Sequence, residues 1–351
     1  MSSDKPGHDL TAALDAVAGG RALGAEEAEA AFDRFMDGTA SEAQMASLLL
    51  GLRAKGVAPS EVAGGVRALR KAMLRVPVKS SAGLVDTAGT GGGSVTTFNI
   101  STAAALVVAG AGVPVAKHGN RSFTSRCGSA DVLEALGVRI ELTPDTMAEV
   151  LEEVGIVFMF APLLHPAMRH VGPVRRALGV TTIMNILGPL TNPAGARRQV
   201  VGVADPALLD LIPGALAELG HVHALVVHGE PGMDEVSPSG RTRVAELREG
   251  EVRRYEITPE ELGLERVPLE ALEGGDPAEN AAIIEAVLAG ALGGPRSAVI
   301  ANAAAAFLVA GVVESWQEGA RLAETALDEG RGAAALERLR SATQRAAPRR
   351  G

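Results

Sequence analysis

Across residues 9–74, apolar positions recur at helical spacing and leave polar faces between them. Residues 25–36 place apolar or alanine positions at helical spacing, the pattern of an amphipathic helix. Ser41 with Gln44 three residues later is a capping box that opens a helix over 41–53, and Pro59-Ser60 opens another. Short connections join these into a small all-helical unit. Its apolar surplus, Met45, Leu48, Leu49 and Leu52, suits either an ordinary core or a homodimer face.

After a polar bridge at 78–82 the pattern shortens to β-branched runs separated by helices. A strand-like lead at 83–85 is followed by runs at 113–116, 155–160, 199–204 and 223–228, which read as buried strands because they lack strict alternation. Helices fall at 99–109, 129–136, 144–154 behind a Thr143 cap, and 206–219. Such alternation predicts an α/β fold with a mostly parallel central sheet and ligands at the carboxyl ends of its strands. Residues 243–257, broken by Arg248-Glu249-Gly250-Glu251, read as an antiparallel hairpin. Asp276-Pro277-Ala278-Glu279 starts a helical remainder, and the Arg/Ala-rich end from Thr343 reads as frayed. The division expected is a helical amino-terminal domain at 1–80, an α/β domain at 81–345 and a tail at 346–351.

Composition narrows the classes. A chain of 351 residues with 47% apolar and 3% aromatic residues buries a large core. A net charge of −9 provides no broad basic field, which argues against a nucleic-acid partner. Cys127 is the single cysteine, so no internal disulfide forms, and no Cys/His cluster has zinc spacing. The first residues lack a signal-peptide pattern and no apolar run reaches membrane-spanning length. A cytoplasmic protein with no membrane partner is the expectation.

Four segments carry chemistry. In Asp86-Thr87-Ala88-Gly89-Thr90-Gly91-Gly92-Gly93, four glycines fall within five residues, and hydroxyls at Thr97, Ser101 and Thr102 open the next helix. Glycine allows positive φ and close approach of N–H groups to an anion, and the helix start adds unpaired N–H groups and a positive dipole end. The run lacks the Gly-Lys-Ser/Thr of a nucleotide-triphosphate loop, and Ser94 stands where a dinucleotide fingerprint needs glycine. Lys117-His118-Gly119-Asn120-Arg121-Ser122-Phe123-Thr124-Ser125 then reads as a loop after the 113–116 strand, with lysine as a mobile charge and arginine as a forked donor for a phosphate. Asp234-Glu235, on a Gly/Pro-shaped loop after another strand, can hold magnesium beside substrate phosphates. His165-Pro166-Ala167-Met168-Arg169-His170 with Arg175-Arg176 offers cations for a carboxylate, although helix-surface charge explains the same residues.

Together with Asn185-Ile186-Leu187-Gly188-Pro189-Leu190-Thr191-Asn192-Pro193 and Gly232-Met233-Asp234-Glu235-Val236-Ser237, these runs resemble the anthranilate phosphoribosyltransferases over nearly the whole chain. The resemblance implies a nucleoside phosphorylase-like phosphoribosyltransferase fold and a homodimer formed through the helical part. It implies transfer of the phosphoribosyl group of 5-phosphoribosyl 1-pyrophosphate to anthranilate in tryptophan biosynthesis, with two magnesium ions per subunit. By resemblance, Gly89, Gly92, Gly93, Thr97, Asn99, Ile100, Ser101, Thr102, Lys117, His118, Gly119, Asn120, Arg121, Ser122, Phe123, Thr124, Ser125 and Ser129 contact phosphoribosyl pyrophosphate. Gly89, Asn120 and Arg175 bind anthranilate, and Ser101, Asp234 and Glu235 bind magnesium. Lys117 is an electrostatic group, and no residue serves as a catalytic acid or base.

One position departs from the pattern: the family's loop usually reads Gly-Thr-Gly-Gly-Asp, and Gly93 replaces the acid. That change removes a negative charge beside the metal while leaving the backbone N–H contacts. Two other readings compete, a pyrimidine nucleoside phosphorylase-like enzyme and a non-catalytic nucleic-acid-binding relative. The first lacks use for the His-Pro-Ala-Met-Arg segment, and the second is opposed by the acidic balance and the intact Asp234-Glu235 pair.

Overall fold

A computed structural model describes residues 10–93, 95–122 and 126–346. The amino-terminal unit consists of α1 (Leu10–Ala18), α2 (Ala25–Met36), α3 (Glu42–Lys55) and α4 (Pro59–Ala72). The expected box forms at α3: Ser41 Oγ accepts the Gln44 N–H at 3.2 Å, and Gln44 Oε1 accepts the Ser41 N–H at 3.0 Å. Met45, Leu48, Leu49 and Leu52 are all buried within the chain, so these four are ordinary core.

The α/β part runs β1 (Val85–Gly89), α5 (Ile100–Gly110), β2 (Val115–Gly119), α6 (Ser129–Ala135), α7 (Pro144–Val154), β3 (Ile156–Phe160), α8 (Ala161–Leu164), α9 (Met168–Leu178) and α10 (Met184–Leu187). It continues with β4 (Arg198–Gly202), α11 (Leu208–Glu218), β5 (His223–Gly229), β6 (Thr242–Arg248), β7 (Glu251–Ile257), α12 (Pro277–Leu288), α13 (Gly294–Ala310), α14 (Trp316–Asp328) and α15 (Arg331–Arg345). One seven-stranded sheet has the order β3-β2-β1-β4-β5-β6-β7, parallel from β3 to β5, with the β6–β7 hairpin added antiparallel.

Alternate residues of each strand face opposite cores. On β5, Leu225 and Val227 join the core built with α5 and α13, whereas Ala224 and Val226 face the core shared with α11 and the amino-terminal helices. That second core also takes Val171, Val174, Met184 and Leu187 from α9 and α10, which binds the helical unit to the sheet.

Three expected boundaries moved. β1 starts at Val85 and carries Asp86, Thr87 and Ala88 inside the sheet. β2 lies two residues later than the hydrophobic pattern indicated, so Lys117, His118 and Gly119 are strand residues. At the carboxyl end α15 continues to Arg345, because buried Thr343 donates to the Leu339 carbonyl at 2.8 Å and accepts the Arg139 N–H at 3.2 Å.

Candidate active site

The chain turns from one side of the sheet to the other between β1 and β4, where β1 leads to β2 on one flank and β4 to β5 on the other. A crevice opens outside the strand ends at such a point. Its two facing ends are Gly89 and Gly202, paired in register. A Cβ on Gly202 would stand 1.7 Å from the Asp234 carbonyl oxygen, and one on Gly89 would stand 2.7 Å from Asp234 Oδ2. Both strand ends are therefore glycine so that the Asp234-Glu235 turn can lie across them.

The carboxylates are held by backbone donors. Asp234 Oδ2 accepts the Gly91 N–H at 3.0 Å, from a turn in which Gly91 and Gly92 have φ of 64° and 79°. Glu235 Oε1 accepts the Ser101 N–H at 3.2 Å, at the first turn of α5, where the positive dipole end favours an anion. Behind them, Asn302 of α13 grips both backbone groups of Val236: its Oδ1 accepts the N–H at 2.9 Å and its Nδ2 donates to the carbonyl at 3.0 Å. A cavity of about 10 Å³ separates Glu235, Ser101, Thr87 and Asn302, close to the room one water needs.

Lys117 lies beneath this pair and is not mobile. It is 4% exposed, and its three protons go to the Thr87 carbonyl, Thr87 Oγ1 at 3.2 Å and Ser101 Oγ at 3.3 Å. Burial lowers its pKa, and Asp86 and Glu235 nearby oppose that shift. Asp86 in turn accepts the His118 N–H at 3.1 Å, Asn192 Nδ2 at 2.9 Å and Gln199 Nε2 at 3.2 Å. Its full burial still pushes it up to about 6. Glu235 is pushed up to about 8, by burial and then by Asp234 beside it, and Asp234 is also raised by burial.

On the other flank His118 and His165 meet, Nε2 to Nε2, at 3.2 Å. Burial depresses them to about 3 and about 4, so both rings are neutral. Asn120 shapes the following turn: its side chain accepts the Arg121 N–H at 2.7 Å, and its carbonyl accepts Ser129 Oγ at 3.2 Å.

Several expected ligand groups are engaged elsewhere. Arg121 is paired with Asp131 at 2.7 Å and Glu134 at 2.6 Å and stacks over Phe160, instead of pointing a free fork at a phosphate. Ile100 buries its side chain and donates its N–H to the Phe98 carbonyl, which leaves no donor for a ligand. Asn99 accepts Asn280 Nδ2 at 2.9 Å and donates to the Cys127 carbonyl at 3.3 Å. Thr102 points into the core with an unpartnered hydroxyl. Gly92, Gly93 and Thr97 line the turn between β1 and α5, with both glycines exposed. Arg175, on α9 beside α2 and α3, is half-buried, and burial lowers its pKa. Phe123, Thr124 and Ser125 lie outside the described residues.

The residues that sequence reasoning missed are the ones holding the site from behind. Asp86, Asn192, Gln199 and Asn302 are all buried polar residues, a signal visible in the Ala301-Asn302-Ala303 run but silent about its partner.

Among the described residues no three His, Cys, Asp or Glu side chains gather as a metal cage. The donor set nevertheless suits a hard cation. Two half-buried carboxyl groups with raised pKa values stand side by side, the Ser101 hydroxyl lies next to them, and a phosphate-bearing ligand completes such a shell.

Comparison with known proteins gives a consistent result. A family model described as the glycosyl transferase family helical bundle domain matches residues 11–73, and the family's a/b domain model matches residues 81–334. The chain is 52% identical over 330 residues to an anthranilate phosphoribosyltransferase of Thermomicrobium roseum, covering 93% of this chain and 95% of the relative. It superimposes with a TM-score of 0.89 and 46% identity on the crystal structure of the Thermus thermophilus enzyme of that name, covering 95% and 99% of the two chains. The Saccharomyces cerevisiae enzyme in complex with PRPP and Mg gives a TM-score of 0.87 at 26% identity, covering 96% and 98%.

Proposed function

The chain belongs to the anthranilate phosphoribosyltransferase family, and from that premise we propose how its residues carry the reaction. The enzyme transfers the phosphoribosyl group of 5-phosphoribosyl 1-pyrophosphate to the amine of anthranilate, releasing pyrophosphate, in tryptophan biosynthesis. The observation that carries this reading is the Asp234-Glu235 turn laid across Gly89 and Gly202 at the β1/β4 crevice.

Breaking of the C1′–oxygen bond runs ahead of attack and leaves an oxocarbenium-like ribose, as at other glycosidic centres. The leaving pyrophosphate therefore carries most of the developing charge. The Gly91-Gly92-Gly93 turn, Thr97 and Ser101 receive its oxygens, with the N-terminus of α5 behind them. Ser101, Asp234 and Glu235 would hold magnesium, two ions in this reading, which neutralises phosphate charge when bound. Lys117 contributes as a fixed charge from below. By donating to Ser101 Oγ it leaves a second lone pair of that hydroxyl for the ligand shell.

An aromatic amine is neutral at neutral pH and loses its proton after attack, so no strong base is needed. His118 and His165, buried and neutral, shape the anthranilate side without a charge of their own. Asn120 lies near the amine, and Arg175 receives the carboxylate. The enzyme works as a cytoplasmic homodimer through its helical unit, where Leu50 of α3 is 42% exposed.

The test is direct. Purified protein mixed with phosphoribosyl pyrophosphate, magnesium and anthranilate should quench anthranilate fluorescence in a magnesium-dependent way. Persistent fluorescence across a magnesium titration would overturn the assignment.

A further inference from the structure

The amino-terminal edge of the sheet carries a group of side chains that the transfer reaction leaves unused. Arg67 and Arg70 stand near the end of α4, Arg75 follows it, Arg197 precedes β4, and His221 lies between α11 and β5. Backbone and side-chain bonds tie them to one corner. Arg67 Nη2 donates to the Glu218 carbonyl at 3.3 Å, and Arg70 Nη2 donates to the Leu190 carbonyl at 3.0 Å. The Val222 N–H donates to the Arg197 carbonyl at 2.9 Å, which sets Arg197 beside His221.

Glu218 and Glu249 reach this corner through their backbones, yet neither pairs with its arginines among the described residues. Among the described residues, no carboxylate forms an ion pair with Arg67, Arg70, Arg75 or Arg197. Two buried nitrogens, Arg70 Nε and His221 Nδ1, have no hydrogen-bond partner, and His221 is only 6% exposed. Burial lowers Arg70 to about 10, with Arg75 and Arg67 adding to the shift. It lowers His221 to about 3, with Arg70 and Arg197 adding further and only the Leu216 carbonyl opposing them. A buried guanidinium N–H left unpaired among like charges costs free energy that an anion would recover.

We propose that this corner, between α4, α11 and the starts of β4 and β5, binds a free inorganic oxyanion of the phosphate or sulfate class. Arg70 Nε is its buried donor, the neutral His221 ring lies beside it as the reporter, and the exposed Arg75 and Arg197 close on it from the surface. The anion joins α4 of the helical unit to the sheet, about one strand length, roughly 17 Å, from the crevice at the other edge.

The experiment is a phosphate titration of the metal-free, full-length protein at constant ionic strength, read from its labelled histidine side chains by NMR. The His221 signal is identified by its loss in His221→Asn. Inorganic phosphate should shift the His221 signal saturably, sulfate should do the same, and Arg70→Gln should weaken the midpoint at least tenfold. Arg197→Gln, on an exposed side chain that leaves folding intact, should weaken it severalfold. The His118 and His165 signals report any phosphate in the catalytic crevice separately. Movement of those two alone, a His221 shift that never saturates, or unchanged midpoints in both arginine variants would overturn the proposal.

Discussion

The two edges of the parallel sheet are opposite in charge. At the carboxyl edge Asp234 and Glu235 lie across glycine strand ends with one fixed cation, Lys117, beneath them. At the amino edge Arg70 and Arg197 lie near His221, with Arg67 and Arg75 near Arg70. The difference follows from chain direction. Strand ends feed helix N-termini, whose N–H groups hold carboxylates, as Ser101 does for Glu235. Strand starts follow helix C-termini, whose carbonyls hold arginines, as the Glu218 carbonyl does for Arg67. Each edge thus gathers charge by the same backbone logic, and each is left needing a ligand of the opposite sign.

The largest expected effect is at the acidic edge. Asp234→Asn with Glu235→Gln should lower kcat/KM by roughly a thousandfold or more. In metal-free buffer the same variant should melt no lower than the wild type, because the site already disfavours the charged form of both carboxyl groups. Retained activity would remove the carboxylates from the chemistry.

Asn302→Ala tests whether that edge is held from behind. Losing both Val236 bonds should cost roughly 2–4 kcal/mol in urea unfolding, and kcat/KM should fall about tenfold as Glu235 loosens. A stability loss with unchanged kinetics would make Asn302 a core residue only. Arg175→Ala should weaken anthranilate use by roughly 30-fold, seen in its KM. An unchanged KM would place the carboxylate elsewhere.

The neutral histidine pair separates the edges by pH. His118 and His165 are held at about 3 and about 4, below an unfolded value of about 6.5. The unfolded chain therefore takes up protons first, and the stability they contribute is complete above about pH 6.5 and lost towards pH 4. Between about pH 7 and about pH 4.5, wild type should lose roughly 2 kcal/mol more than His165→Asn in urea unfolding. Equal losses would mean the pair is not buried neutral. The smallest effect concerns Gly93→Asp, whose Cβ would lie 3.1 Å from the Gly232 carbonyl oxygen and 3.4 Å from Ala204 Cβ. The neighbours must give slightly, and the added charge should shift the magnesium optimum of activity. Identical magnesium profiles would show that the position is electrostatically silent.

Much of this was legible in the sequence, and the failures share a cause. Local signals placed the caps at Ser41, Thr143 and Asp276, the β6–β7 hairpin and the glycine turn. The β2 boundary was misread because Lys117 and His118 are polar residues in a buried strand, a choice that makes sense only once Asp86 and Thr87 of the neighbouring strand are beside them. Arg121 reads as a phosphate fork until Asp131 and Glu134 come within reach on α6. The clamps on the site span 66 residues for Asn302 to Val236 and 106 for Asn192 to Asp86, separations that no local pattern encodes.

The most direct test of the acidic edge is calorimetric titration of phosphoribosyl pyrophosphate into the protein with and without magnesium. Binding should appear only with magnesium and should be lost in Glu235→Gln while that variant remains folded. Equal binding without magnesium, or in the variant, would contradict a cation-dependent pyrophosphate site across Gly89 and Gly202.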